Sequence, residues 1–212
     1  MKIQRQDAIR TRKNLLRAAG EVFADKGYRD ATIAEISERA GTNIAAVNYH
    51  FGDKETLYRE AWRQSFHDSI EAHQPGGGVG DGEPLEERLR GRVVALLRRI
   101  TDKNNREFRI VQKELANPTG LLEEVMTEEF APLRRKLEDL VREFLGPESP
   151  QQQVRFCATS IMSQCVIPVF LSSAKKPESG GENGSWKIED VDRYAEHIVT
   201  FSLAAMRGIK NK

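Results

Sequence analysis

The chain has 212 residues, 39% of them hydrophobic, enough to build one large domain or two small ones around a real core. With 33 Lys and Arg against 32 Asp and Glu the net charge is +1, so the chain as a whole is not built to coat a polyanion, and any nucleic-acid contact must be local. The charged N-terminus lacks a following apolar segment and no apolar run approaches about 18 residues, which predicts a cytoplasmic protein with no membrane partner.

Charge is nevertheless uneven at the start. Residues 1–13 carry Lys2, Arg5, Arg10, Arg12 and Lys13 against Asp7 alone, which is either a basic arm for an anion or a solvated terminus. Apolar residues then recur at spacings of three and four, and alternating β-branched runs are absent, so the fold class is all-α. A first helix spans about Asp7 to Lys26, with Leu15, Ala19, Val22 and Phe23 on one face and Gly27 as its stop. A second, short helix covers about Ile33 to Ala40. Thr32 and Glu35 supply a capping box, and Ile33, Ile36 and Ala40 form the inner face. Gly41 and Thr42 make a turn, Asn43 caps a third helix from Ile44 to His50, and Gly52 and Asp53 separate it from a fourth that runs from Lys54 to about His73.

"QPGGGVGDGEP", Gln74 to Pro84, reads as a mobile loop. No strand precedes it and no Lys-Ser/Thr follows, so it is not a P-loop. Beyond it come apolar stripes at Leu85, Leu89, Val93, Leu96 and Ile100, at Phe108, Val111 and Leu115, and at Leu133, Leu137, Leu140 and Phe144. Pro132 enters the last of these and predicts a kink or break. A further helix over about Pro150 to Ala174 turns Val154, Ala158, Ile161 and Cys165 inward, with Pro168 as a second kink. "KKPESGGENGSW", Lys175 to Trp186, is a polar loop predicted to be disordered in part. The final helix, about Ile188 to Ile209, carries Val191, Ala195, Ile198, Phe201 and Ala205. Cys157 and Cys165, eight residues apart on one helix, lie about 12 Å apart along its axis, too far for a mutual disulfide.

The second and third helices with the glycine turn between them form a helix-turn-helix pattern. Val47 and Phe51 face inward, whereas Ala45, Asn48 and Tyr49 face away. Small Ala45 and Ala46 admit close approach to a groove floor, and an alanine methyl can meet a thymine methyl. Asn48 and His50 offer hydrogen bonds, and the Tyr49 hydroxyl reaches to phosphate distance. Thr32 and Lys54 stand at helix N-termini, where anions are favoured. The bland alternative is a small packing helix in a larger bundle. His50, His67, His73 and His197 show no metal-ligand spacing, and no nucleophile–base pair is evident, so no catalytic residue, metal or cofactor is expected.

"TIAEISERAGTNIAAVNYHFGDKETLY", Thr32 to Tyr58, with "AAGEVFADKGYRDATI", Ala18 to Ile33, resembles the DNA-binding core of the TetR family of bacterial transcriptional repressors. Tyr49, Phe51, Lys54, Glu55 and Leu57 occupy family positions. "NIAAVNYHFGDKETLY" followed by "EEFAPLRRKLEDLV", Glu128 to Val141, is similar to the CecR-like branch. The resemblance implies an N-terminal three-helix DNA-binding domain, residues 1–53, and a C-terminal helical domain, residues 54–212, that binds a ligand and dimerises. It implies a homodimer on a palindromic double-stranded operator, with a small apolar or amphipathic effector. Thr32 and Lys54 would clamp phosphates and Tyr49 the backbone, with Ala45, Ala46, Asn48 and His50 at base edges and Thr42 and Asn43 at the turn beside them. Ile44 departs from the family, where a polar or basic residue is frequent. For the effector, Phe108, Gln112, Phe130, Ser160, Met162 and Gln164 are the candidates. Two alternatives remain open: a TetR-like DNA-binding protein without a ligand, acting as a nucleoid or division factor, and a helical small-molecule carrier or enzyme.

Overall fold

The computed structural model describes residues 2–173 and 188–210; the polar stretch Lys175 to Trp186 lies outside them. Among the described residues the chain is entirely helical. Its helices are α1 (Lys2–Asp30), α2 (Ile33–Arg39), α3 (Ile44–Phe51), α4 (Lys54–Ala72), α5 (Leu85–Thr101), α6 (Arg106–Ala116), α7 (Glu123–Leu145), α8 (Gln151–Ser173) and α9 (Val191–Lys210). They form two compact units, residues 1–71 with 104–129 and residues 72–103 with 130–212. Helix α4 therefore packs almost wholly with the first unit, and α7 passes from the first unit to the second just before Pro132.

In the first unit α1 packs against α2, α3 and α6. Its apolar stripe is the one the spacing predicts: Leu15, Ala19, Val22 and Phe23 are fully buried. The Phe23 ring meets the buried Tyr58 ring of α4 edge-on at 4.7 Å. Burial of each such side chain contributes about 1.5–3 kcal/mol. Two polar anchors lock α4 to the rest of the unit. The Tyr58 hydroxyl donates to Glu114 at 3.0 Å, and Ser69 donates to the buried Glu107 at 2.8 Å. The basic start of the chain is helical from Lys2, ahead of the expected start near Asp7, and α1 breaks at Gly27, whose φ of 78° lies outside helical space. Leu115, expected inward, is exposed; Phe108, Ile110 and Val111 form the buried side of α6.

In the second unit α5 packs against α8 and α9, which also pack on each other. Val154, Ala158, Ile161 and Cys165 face the core as expected. Both cysteines are free and buried, and burial pushes the Cys165 thiol up to about 12. On α9 the inward set is Ala195, Ile198, Val199, Ser202, Leu203 and Met206, so Phe201 and Ala205 are exposed rather than buried. Pro132 and Pro168 both lie inside continuous helices. The expectation that no apolar run approaches about 18 residues does not hold for one helix when hydropathy is averaged along it. Gln151–Ser172 of α8, with a mean hydropathy of 1.5, is long and apolar enough to cross a membrane by length and composition. Its serines, threonine and glutamines break the run to the eye, yet Arg155 is its one charged residue. Phe156, Met162, Ile167 and Leu171 of this helix are exposed.

Candidate nucleic-acid interface

Local chemistry builds the α2–turn–α3 segment. Thr32, extended at φ −116°, accepts a hydrogen bond from the Glu35 N–H at 3.2 Å and so starts α2. Only half of the capping box forms, because the Glu35 carboxylate turns to Lys26 at 2.7 Å and Arg39 at 3.7 Å. Gly41, at φ 67°, supplies the left-handed residue of the turn. Asn43 then accepts from the Ala46 N–H at 3.0 Å and starts α3. Gly52, at φ 78°, closes α3, and Asp53 accepts from the Thr56 N–H at 2.7 Å to start α4. Those Thr56 hydrogen bonds hold the Asp53 carboxyl below its ordinary range.

Eight residues of α3 span about 12 Å, comparable to the width of a major groove. The helix is two-sided. Val47 and Phe51 are buried against the first unit, while Ile44, Ala45, Asn48 and Tyr49 are exposed. Tyr49 is 80% exposed and Ile44 is 50% exposed, an unusual outlay of apolar surface on so short a helix. The Tyr49 ring stands edge-on to His50 at 4.9 Å, which restrains its direction. Ala46 and His50 are half-buried at the margin of this face, as is Thr42 in the turn, and Thr32 and Asn43 are exposed at the two caps.

The flanking cations are seated rather than loose. Lys54 places its ammonium 4.5 Å from the centre of the Tyr28 ring. Partial burial pulls its pKa down, opposed by Asp30. Arg12 lies over Phe51 at 5.2 Å and pairs with Glu60. Arg10 pairs with Asp7 at 2.9 Å, while Lys13 and Arg17 are exposed and carry no ion pair among the described residues. Sequence reasoning missed Tyr28 as the seat of Lys54. The signal available was the Gly27–Tyr28 step, where the helix break frees the ring to turn.

Residues 85–206 match the model of the C-terminal domain of the HTH-type transcriptional dual regulator CecR, and residues 15–61 match that of the tetR family of bacterial regulatory proteins. The chain belongs to the TetR family and carries a CecR-type C-terminal domain. Among similar proteins, the HTH-type transcriptional repressor NicS of Pseudomonas putida is 41% identical over 56 residues, 26% of each chain. The HTH-type transcriptional regulator AcrR of Shigella flexneri is 28% identical over 102 residues, 48% of this chain and 47% of the other. The chain thus matches only about a quarter to a half of the length of these curated relatives. Agreement in fold extends much further. A TetR-like transcriptional regulator from Rhodococcus sp. RHA1 superposes with a TM-score of 0.65 over 93% of this chain and 96% of that one, at 19% identity. AibR, solved with isovaleryl coenzyme A and operator DNA, gives 0.64 over 90% and 97% at 17% identity.

The six effector candidates of this TetR-family chain are not gathered into one unit. Phe108, buried, and Gln112, half-buried, belong to α6 in the first unit. In the second unit Phe130 is half-buried, but Ser160 and Met162 are on the exposed side of α8, where Ser160 donates to the Phe156 carbonyl at 2.9 Å. Gln164 is half-buried; its side-chain amide donates to the Ser202 hydroxyl at 3.3 Å, and its backbone carbonyl accepts from the Tyr194 hydroxyl at 2.9 Å.

Proposed function

We propose that the chain is a ligand-responsive transcriptional repressor that binds a palindromic duplex operator as a homodimer in the cytoplasm. The observation that carries this reading is the two-sided α3. Its Val47 and Phe51 are spent on the core, and its outer face is small, aromatic and amide-bearing between two capped helix starts. In this reading Ala45, Ala46, Asn48 and His50 meet base edges, and Tyr49, Thr32, Lys54 and the turn residues Thr42 and Asn43 hold phosphates. Ile44 takes an apolar role, its side chain suited to a thymine methyl where the family more often has a polar hand.

Dimerisation through α8 and α9 accounts for exposed Phe156, Ile167, Leu171 and Phe201, which a monomer would leave in water. Ser160 and Met162 fit that surface better than a pocket wall. Phe108 and Gln112 in the first unit, and separately Phe130 and Gln164 in the second, stay candidates for an effector that is small and apolar or amphipathic. AibR, which shares the fold, is solved with an acyl coenzyme A and its operator, which supports a two-ligand regulator of this design. An effector acts by binding the DNA-competent and DNA-incompetent conformations unequally.

Selection of bound duplexes from a random pool tests the assignment. The expected product is a palindrome with half-sites about one helical turn apart or somewhat more. Failure to enrich any sequence overturns it. A panel of apolar and amphipathic compounds, read by thermal stabilisation, tests the effector separately; no stabilisation by any member favours a DNA-binding protein without a ligand.

A further inference from the structure

The glycine-rich segment between α4 and α5 is a built element. Successive turns close at Gly77 N–H to Gln74 carbonyl (2.8 Å), Val79 N–H to Gly76 carbonyl (3.1 Å) and Glu83 N–H to Gly80 carbonyl (3.1 Å). It docks on α5 through a glycine-on-glycine contact. A Cβ on Gly77, which has φ 63°, would come within 2.4 Å of the Gly91 carbonyl oxygen. A Cβ on Gly91 would come within 2.6 Å of the Gly76 oxygen and 2.7 Å of the Val79 side chain. Glycines on both sides are therefore what lets the loop close onto the helix.

The docked loop walls a cavity of about 270 Å³, with Asp81 of the loop, Arg88 and Arg92 of α5 and Lys136 of α7 among its lining. Three cations face one carboxylate there. Arg88 is already engaged, pairing with Glu143 and donating its Nε–H to the Glu83 carbonyl at 3.0 Å. Arg92 is half-buried and makes no ion pair or hydrogen bond among the described residues. Burial disfavours its charge; Asp81 and Asp139 favour it from a distance, and Arg88 opposes it. A half-buried guanidinium with its planar fork unmatched is suited to bind an oxyanion in bidentate fashion. The volume lies just below the usual range for ligand cavities, about 300–1,000 Å³, so it suits a small molecule.

We propose that this cavity is an anion-binding site that takes the phosphate or carboxylate group of a small molecule, with Arg92 as the residue that holds it and the Gly76–Val79 loop as its wall. The site lies wholly within the second unit and does not depend on the DNA-binding reading.

The test is a titration of the full chain, without DNA, with inorganic phosphate and separately with acetate, at constant ionic strength against chloride, following the melting temperature. The expected result is a saturable rise with at least one of them. Response to phosphate alone assigns a phosphate ester, and response to acetate alone a carboxylate. Arg92→Gln should weaken the response about tenfold or more, the loss expected for a charge-assisted hydrogen bond. Arg92→Lys, which keeps the charge and loses the fork, should fall between. Gly91→Ala favours the helix but pushes the loop away, and should weaken the response while circular dichroism stays unchanged. Lys103→Ala, which removes an exposed cation outside both proposed sites, should leave it intact. The proposal is overturned if neither anion stabilises saturably, if Arg92→Gln responds like the parent, or if Lys103→Ala abolishes the effect.

Discussion

Tyr49 and Val47 lie on one short helix with opposite fates, the first almost wholly in water and the second fully buried. That contrast separates what binds from what folds. Tyr49→Ala removes no buried contact, so its melting temperature should stay within about 0.5 kcal/mol of the parent in stability terms. Operator affinity measured by mobility shift should nevertheless fall, by about tenfold; unchanged affinity sinks the DNA-contact assignment. Lys54→Ala should weaken all sequences alike and reduce the slope of log affinity against log salt by about 1, since one phosphate contact is lost. Asn48→Ala should instead change the preference among sequences. At the same scale, Cys165 has its thiol pKa raised by burial from 9.0 to about 12. The protonated form is the one the fold holds. The stability this contributes is therefore complete below pH 9 and lost as pH rises toward 12. A Cys165→Ala variant should show a shallower loss of stability over that window in urea melts.

Short helices depend on their ends. With α2 at 7 residues and α3 at 8, neither is stable alone, and both are held by caps and by one buried face. Asn43→Ala removes the side-chain acceptor for the Ala46 N–H and should cost about 1 kcal/mol in a denaturant melt. Ser37 sits on the buried side of α2, and its hydroxyl has no hydrogen-bond partner among the described residues. Ser37→Ala should therefore be neutral or stabilising by up to about 1 kcal/mol, since it removes a desolvated polar group and improves helix propensity. A clear destabilisation would mean the hydroxyl has a partner in solution. These elements were legible because their signals are local. Asn43, Gly41, Gly52 and Asp53 each act on backbone groups within a few residues, and Val47 with Phe51 marks the inner face by helical period alone. Leu115 and Phe201 misled for the converse reason. Period shows that a face is apolar, but not which of two apolar faces meets the core, because burial of apolar surface has no directional preference of its own.

At the scale of the molecule, the proposed homodimer is assigned to the apolar exterior of α8 and α9. Exposed Phe156, Ile167 and Leu171 on α8 and Phe201 on α9 form the surface assigned to the two-fold contact. Ile167→Glu or Phe201→Glu should shift sedimentation toward monomer, and operator affinity should drop with it, because one reading head alone covers half a palindrome. Retention of the parent mass by both variants would move the dimer contact elsewhere. The all-helical class, the helix-turn-helix and its outward residues were determined by the sequence itself, through spacing, caps and glycines that act over one or two turns. Only the tertiary structure decided that Lys54 rests on Tyr28, that Ser160 and Met162 face outward, and that Arg88, Arg92 and Lys136 meet beneath a glycine loop. The first and last of these join residues from separate segments, and the outward face of α8 is set by which side meets α5 and α9, so no local periodicity carries any of them.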